Sequence, residues 1–146
     1  MNLKKQTQLI LNNLEEEESC FSDLMIKLSE QKKAIESQNE ERVLQIIKEK
    51  SALIEKFKNL ENEVETHLQL LSPKDMEDLA QEGRVLKESI ESLLEKIIRL
   101  EEECEKGISS KMQDIGKRIL GLQKGKKIGE GYGRYQKIRP LISKKI

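Results

Sequence analysis

Residues 76–104 read MEDLAQEGRVLKESIESLLEKIIRLEEEC, and their apolar spacing is that of a long amphipathic helix. Steps of three and four residues separate the in-frame positions, which are Met76, Leu79, Gly83, Leu86, Ile90, Leu93, Ile97, Leu100 and Cys104. Such steps place side chains on one face of an α-helix. Leu94 and Ile98 widen this face, which favours packing against two neighbouring helices over a two-stranded coiled coil.

The same spacing continues beyond Cys104. The further apolar positions are Ile108, Met112, Ile115, Ile119 and Leu122. We therefore predict one helix over residues 73–122, roughly 50 residues and about 75 Å long. Gly107, Gly116 and Gly121 each disfavour the helix by about 1 kcal/mol relative to Ala, so its far end is expected to be weak alone.

Two earlier segments carry the same helical spacing. Over residues 3–36 the apolar face comprises Leu3, Ile10, Leu14, Phe21, Leu24, Leu28 and Ile35. Over residues 38–71 it comprises Val43, Ile46, Leu53, Phe57, Leu60, Val64 and Leu71, and Lys50 departs from this apolar frame. Residues 36–42 contain no apolar side chain, so we expect a kink, a tight turn or a stutter there.

The clearest boundary is the sequence Ser72-Pro73-Lys74-Asp75. Ser supplies an N-cap oxygen, Pro suits the first helical turn, and Asp complements the helix dipole. The prediction is an all-α fold of three long antiparallel helices, about 3–36, 38–71 and 73–122. They form an elongated bundle or coiled coil over residues 1–122.

Composition supports this fold class, because 37% of residues are charged and only 3% are aromatic. Strand-rich folds need more aromatic and turn-forming residues. The charge is unevenly distributed: residues 123–146 contain eight Lys or Arg and one Glu, a net charge of +7 that leaves −7 on the rest of this neutral chain. We expect 123–146 to be a flexible, glycine-rich basic tail that meets an acidic surface, either on its own body or on a partner.

No motif indicates catalytic chemistry. Residues 125–133 have several glycines but lack the spacing and hydroxyl of a P-loop. His67 is the only histidine, and Cys20 and Cys104 are far apart in sequence. The Glu run at 15–18 occupies successive helical positions, which point in different directions and do not converge on a cation. We therefore expect no enzymatic activity, no cofactor and no bound metal.

The basic tail also raises the possibility of nucleic-acid or membrane binding. Tyr132 and Tyr135 could stack on bases, but the acidic body and the lack of a recognition-helix motif argue against a nucleic-acid partner. Pro140 and the glycines interrupt an amphipathic membrane helix. No apolar run approaches membrane-spanning length, and the first residues do not resemble a signal peptide. We expect no stable membrane insertion and a cytoplasmic location.

The predicted third helix is longer than its two neighbours. Two helices of about 34 residues, roughly 51 Å each, cannot cover its whole apolar face. The uncovered positions would be Ile108, Met112, Ile115, Ile119 and Leu122. A helix from a partner protein or a second copy of this chain would complete the packing, so client binding and homodimerisation both remain open.

Several short segments are similar to a known family. They are QKKAI at 31–35, a polar break, EKSAL at 49–53 and LE at 60–61, followed by GYG at 131–133 and PLISKK at 140–145. Through them most of the chain resembles the FlgN-type flagellar export chaperones. It departs from many relatives at 61–64, which reads ENEV without an Arg, and at 107–111, which reads GISSK without an Asn-rich stretch.

The resemblance implies a cytoplasmic type III flagellar export chaperone. Such a protein would bind the terminal amphipathic helices of hook–filament junction subunits, prevent their premature assembly and deliver them to the export gate. The hypothetical client groove is the uncovered set from Ile108 to Leu122. Tyr132 lies where the family has a functional tyrosine, so it is the hypothetical contact to the export apparatus. The alternative is a coiled-coil adaptor or scaffold that self-associates.

Overall fold

The computed structural model describes residues 2–112 with Gly116 and Ile119, and the elements of this part are helices joined by short turns. The elements are α1 (Asn2–Glu36), α2 (Glu40–Leu68), α3 (Pro73–Glu82) and α4 (Arg84–Lys111). The all-α prediction is confirmed. The prediction of three long helices is wrong, because the third segment is divided into a short helix and a long one.

The polar break is a tight turn that joins α1 to α2. Gln38 has a φ of 55°, in the left-handed region. Its backbone N–H donates to the carbonyl of Ile35 at 3.0 Å, and the N–H of Asn39 donates to the carbonyl of Ala34 at 2.8 Å. This pair of bonds is a Schellman motif. The Asn39 side chain then accepts from the N–H of Arg42 at 3.1 Å and caps α2.

Ser72 is the N-cap of α3, and Pro73 is its first residue. The Ser72 hydroxyl accepts a hydrogen bond from the backbone N–H of Asp75 at 3.2 Å and donates one to the Asp75 carboxylate at 2.9 Å. This local bonding satisfies one of the free N–H groups at the helix start.

Gly83 divides the predicted third helix. Its N–H donates to the Leu79 carbonyl at 2.8 Å and closes α3, while its own carbonyl accepts the first bond of α4 from Lys87 at 2.8 Å. A Cβ at this position would lie 3.3 Å from Leu11 Cδ2 and 3.0 Å from the Leu79 oxygen. The glycine therefore allows the α3–α4 junction to pack closely on α1.

The predicted helix also stops before residue 122. α4 ends at Lys111, and Met112 has non-helical angles of φ −126° and ψ 52°. A Cβ on Gly116 would lie 3.4 Å from the Ile108 carbonyl oxygen. In a straight helix, residues 108 and 116 would be about 12 Å apart along the axis, which is much farther than this contact allows. The chain therefore leaves the axis of α4 after Met112.

α1 packs against both α2 and α4. It is antiparallel to α2, since Lys27 pairs with Glu49 at 2.9 Å and Glu30 pairs with Arg42 at 2.8 Å. The core along the bundle contains Ile10, Leu14, Phe21, Leu24, Leu28, Val43, Ile46, Phe57, Ile90, Leu94 and Ile97. None of the helices in the described part is long and apolar enough to cross a membrane.

Candidate functional site

The apolar cluster at the end of α4 contains the predicted client residues that the structure describes. Ile108 and Ile119 are 0% exposed, and Met112 is 3% exposed. The expectation that these three residues lack an internal partner is therefore wrong, since all three belong to the core. Ile115, Leu122 and Tyr132, together with the predicted tail at 123–146, lie outside the described residues.

Two elements cover this cluster. On one side α1 ends against α4, because a Cβ on Gly107 would lie only 2.8 Å from Ile35 Cγ2. On the other side the backbone of Gly116 lies beside Ile108. The apolar end of α4 is thus covered by α1 and by Gly116, where a projecting helix was predicted.

A pair of buried acids lies between α1 and α2. Glu17 is 2% exposed and Glu61 is 1% exposed. Burial raises the pKa of Glu17 to about 9, and the nearby negative charge of Glu61 adds to the effect. Glu17 is therefore protonated at neutral pH. This pair was not predicted from the sequence, although Glu17 occupies a position of the apolar face between Leu14 and Phe21.

A second pair of charged side chains, Lys50 of α2 and Glu101 of α4, is buried near Cys104. Lys50 is 2% exposed and Glu101 is 6% exposed. Lys50 interrupts the apolar frame of the second segment, and it nevertheless lies in the core. A charged side chain that is buried in a protein core needs compensating polar or charged partners, because its transfer out of water is costly.

The cysteines and the histidine have structural environments. Burial raises the pKa of both thiols, that of Cys104 to about 11, so neither is an activated nucleophile. The Cys104 thiol lies 3.7 Å from the Leu28 carbonyl oxygen. His67 is half-buried, with its Nδ1 2.8 Å from Gln6 Oε1. In the part of the chain that the structure describes, no three His, Cys, Asp or Glu side chains converge as metal ligands.

Comparisons with known proteins complete these observations. A family model described as FlgN protein matches residues 1–140. No curated protein and no solved structure matches the chain. The family match spans the bundle and most of the segment beyond it.

Proposed function

The chain belongs to the FlgN family of flagellar export chaperones, and we propose that its clients are the terminal amphipathic helices of hook–filament junction subunits. The family match over residues 1–140 carries this proposal. The apolar cluster at the end of α4 has the chemistry that an amphipathic helix needs, although it must first be uncovered. The proposed setting is the cytoplasm, before the subunit enters the export gate.

The proposed chemistry is non-covalent. An exposed amphipathic helix on an axial subunit favours premature polymerisation, since its apolar face gains free energy when it is covered. A chaperone that covers this face holds the subunit as a complex until export. No bond is formed or broken, so this role needs no catalytic residue.

We place the client groove at Ile108, Met112, Ile115, Ile119 and Leu122. Because Ile108 and Met112 are buried in the free chain, client binding there requires the covering segment beyond Met112 to move. Re-exposing each side chain costs about 1.5–3 kcal/mol, and a client helix that covers the same atoms offsets this cost. Client binding and opening of this end of the bundle are then one coupled step.

The test is titration of the full-length chain with a purified junction subunit. The wild-type chain should form a one-to-one complex. Ile115→Asp should weaken binding by at least roughly 100-fold, because it introduces a charge into an apolar interface. Ser109→Asp is the matched control, since it adds the same charge at an exposed position of α4. Circular dichroism should show that both variants remain helical, and normal binding by Ile115→Asp would reject the groove.

A further arm of the same experiment concerns Tyr132, which we propose as the contact to the export apparatus. Tyr132→Ala should leave the one-to-one complex intact and reduce export in cells that depend on the variant. Tyr135→Ala serves as the matched aromatic control. Loss of client binding with Tyr132→Ala would contradict this division of roles.

Sedimentation of the purified chain separates the chaperone from a self-associating scaffold. A monomer that becomes a one-to-one complex with the subunit supports the chaperone. A stable elongated dimer that persists on dilution would favour the coiled-coil adaptor.

A further inference from the structure

We propose that the last residues of the chain, 134–146, dock onto their own bundle in a groove between α1 and the start of α4. The groove has a volume of about 550 Å³. Its apolar wall is formed by Leu11 from α1 and by Val85 and Leu86 from α4. Val85 is 78% exposed, the largest exposed fraction among the exposed large hydrophobic side chains of the described part.

The rim of the groove is acidic. Glu15 and Glu18 border it from α1, and Glu82 borders it from the end of α3. Among the described residues that line it, none is Lys or Arg. An apolar wall with carboxylates on both sides fits a basic amphipathic segment, whose apolar side chains contact the wall while its cations meet the rim.

A second surface groove, between α1 and α2, has a different charge pattern. It is lined by two acids and two bases, of which Lys27 and Glu49 already pair at 2.9 Å. Its apolar wall includes Ile26, which is 54% exposed. This groove has no charge preference for a basic segment and provides a matched control site.

The positive charge and the apolar side chains of residues 134–146 are complementary to the acidic rim and apolar wall of this groove. Residues 134–146 read RYQKIRPLISKKI, with five Lys or Arg, no acid, and apolar Tyr135, Ile138, Leu141, Ile142 and Ile146. A second copy of the bundle is a poorer occupant, because its corresponding surface has the same negative rim. Tethering also gives the chain's own segment an effective concentration in the millimolar range.

The segment is long enough to reach the groove. Val85 lies about 39 Å from the end of α4 at Lys111, since the helix rises through 26 residues between them. The roughly 26 residues from 112 to 137 would span up to about 86 Å if extended. The chain has already left the axis of α4 at Met112, so it does not continue away from the bundle along that helix.

The test is disulfide trapping in the full-length chain. Val85→Cys with Ile138→Cys, oxidised by glutathione disulfide at low salt, should give an intramolecular disulfide in the monomer. The native thiols are buried with raised pKa values, so they should not compete. The control pair is Ile26→Cys with Ile138→Cys. Ile26 lies nearer the end of α4, because the neighbouring Leu28 contacts Cys104, so an unbound tether would reach it more readily.

We expect the Val85→Cys pair to cross-link roughly tenfold faster than the Ile26→Cys pair, in line with local concentration by docking. Glu15→Gln with Glu18→Gln should reduce this rate several-fold, as should a rise in salt that shortens the screening length to about 3 Å. Equal rates for the two pairs, or a disulfide formed only between two chains, would overturn the proposal. This inference does not depend on the client or on the export role.

Discussion

Replacing Glu17 with Gln should change how stability depends on pH. Glu17 has an ordinary pKa of 4.5 in the unfolded chain and a pKa of about 9 in the folded one, mainly because of burial. Between these values the folded chain holds a proton that the unfolded chain releases. The free energy of unfolding therefore falls as pH rises, by about 1.4 kcal/mol per pH unit for one proton.

Over the roughly three pH units from about 5 to about 8, this one group lowers the free energy of unfolding by about 4 kcal/mol. That is a large share of the roughly 5–15 kcal/mol typical of a folded domain. Glu17→Gln retains the size and polarity of the protonated acid but cannot ionise. The variant should therefore gain about 4 kcal/mol relative to the wild type as pH rises across this window.

Urea unfolding at several pH values across this window measures the effect. Glu16→Gln is the matched control, because Glu16 is exposed on the same helix and should leave the wild-type slope unchanged. Glu61→Gln should lower the pKa of Glu17, since it removes the charge that adds to burial. Parallel profiles for wild type and Glu17→Gln would refute the reasoning, because they would mean that Glu17 has the same pKa in both states.

Two further substitutions test the backbone at the α1–α2 turn and the contact of α1 with α4. Gln38→Gly should raise the free energy of unfolding by about 1 kcal/mol, since φ at Gln38 is 55° and glycine adopts that region without steric cost; an unchanged urea midpoint would contradict this. Gly107→Ala should destabilise by about 1–2 kcal/mol, because its Cβ would lie 2.8 Å from Ile35 Cγ2 and overpacking outweighs the gain in helix propensity. In an Ile35→Ala background the same change should become neutral or stabilising, and an unchanged penalty there would count against the contact.

The helix starts could be predicted from the sequence because their bonds are local. Ser72 and Asp75 bond to each other within one turn, so their chemistry is visible in four consecutive residues. The same holds for Asn39, which bonds to Arg42 three residues later. The sequence could not distinguish the Schellman turn from a kink. The turn depends on a left-handed backbone conformation at Gln38, and glutamine has no special preference for that conformation.

The breaks in the third segment could not be predicted from periodicity. Spacing of three and four residues continues through Gly83 and Met112, so a continuous helix and separate helices give the same pattern. The interruption at Gly83 coincides with a tertiary contact, since a Cβ there would lie 3.3 Å from Leu11 Cδ2. The burial of Ile108 likewise depends on residues that are distant in the helix and close in space. Of the predicted set, Ile108, Met112 and Ile119 lie in the core, and this coverage could not be foreseen from the spacing.

The buried acids favour one register of α1 along α2, which the apolar residues alone would not fix. Leu, Ile and Val repeated every three or four residues would pack almost as well if α1 shifted by one turn along α2. In the observed register Phe21 faces Phe57, with ring centroids 4.6 Å apart, and Glu17, one turn earlier, lies near Glu61, one turn later. A shift of one turn could bring the buried carboxyl of Glu17 against the ring of Phe57. Burying a polar group without a suitable partner is penalised by several kcal/mol, so the acids oppose this alternative register. The proposed clients are themselves amphipathic helices, and a fixed register would keep the protein's own helices from being interchangeable with them.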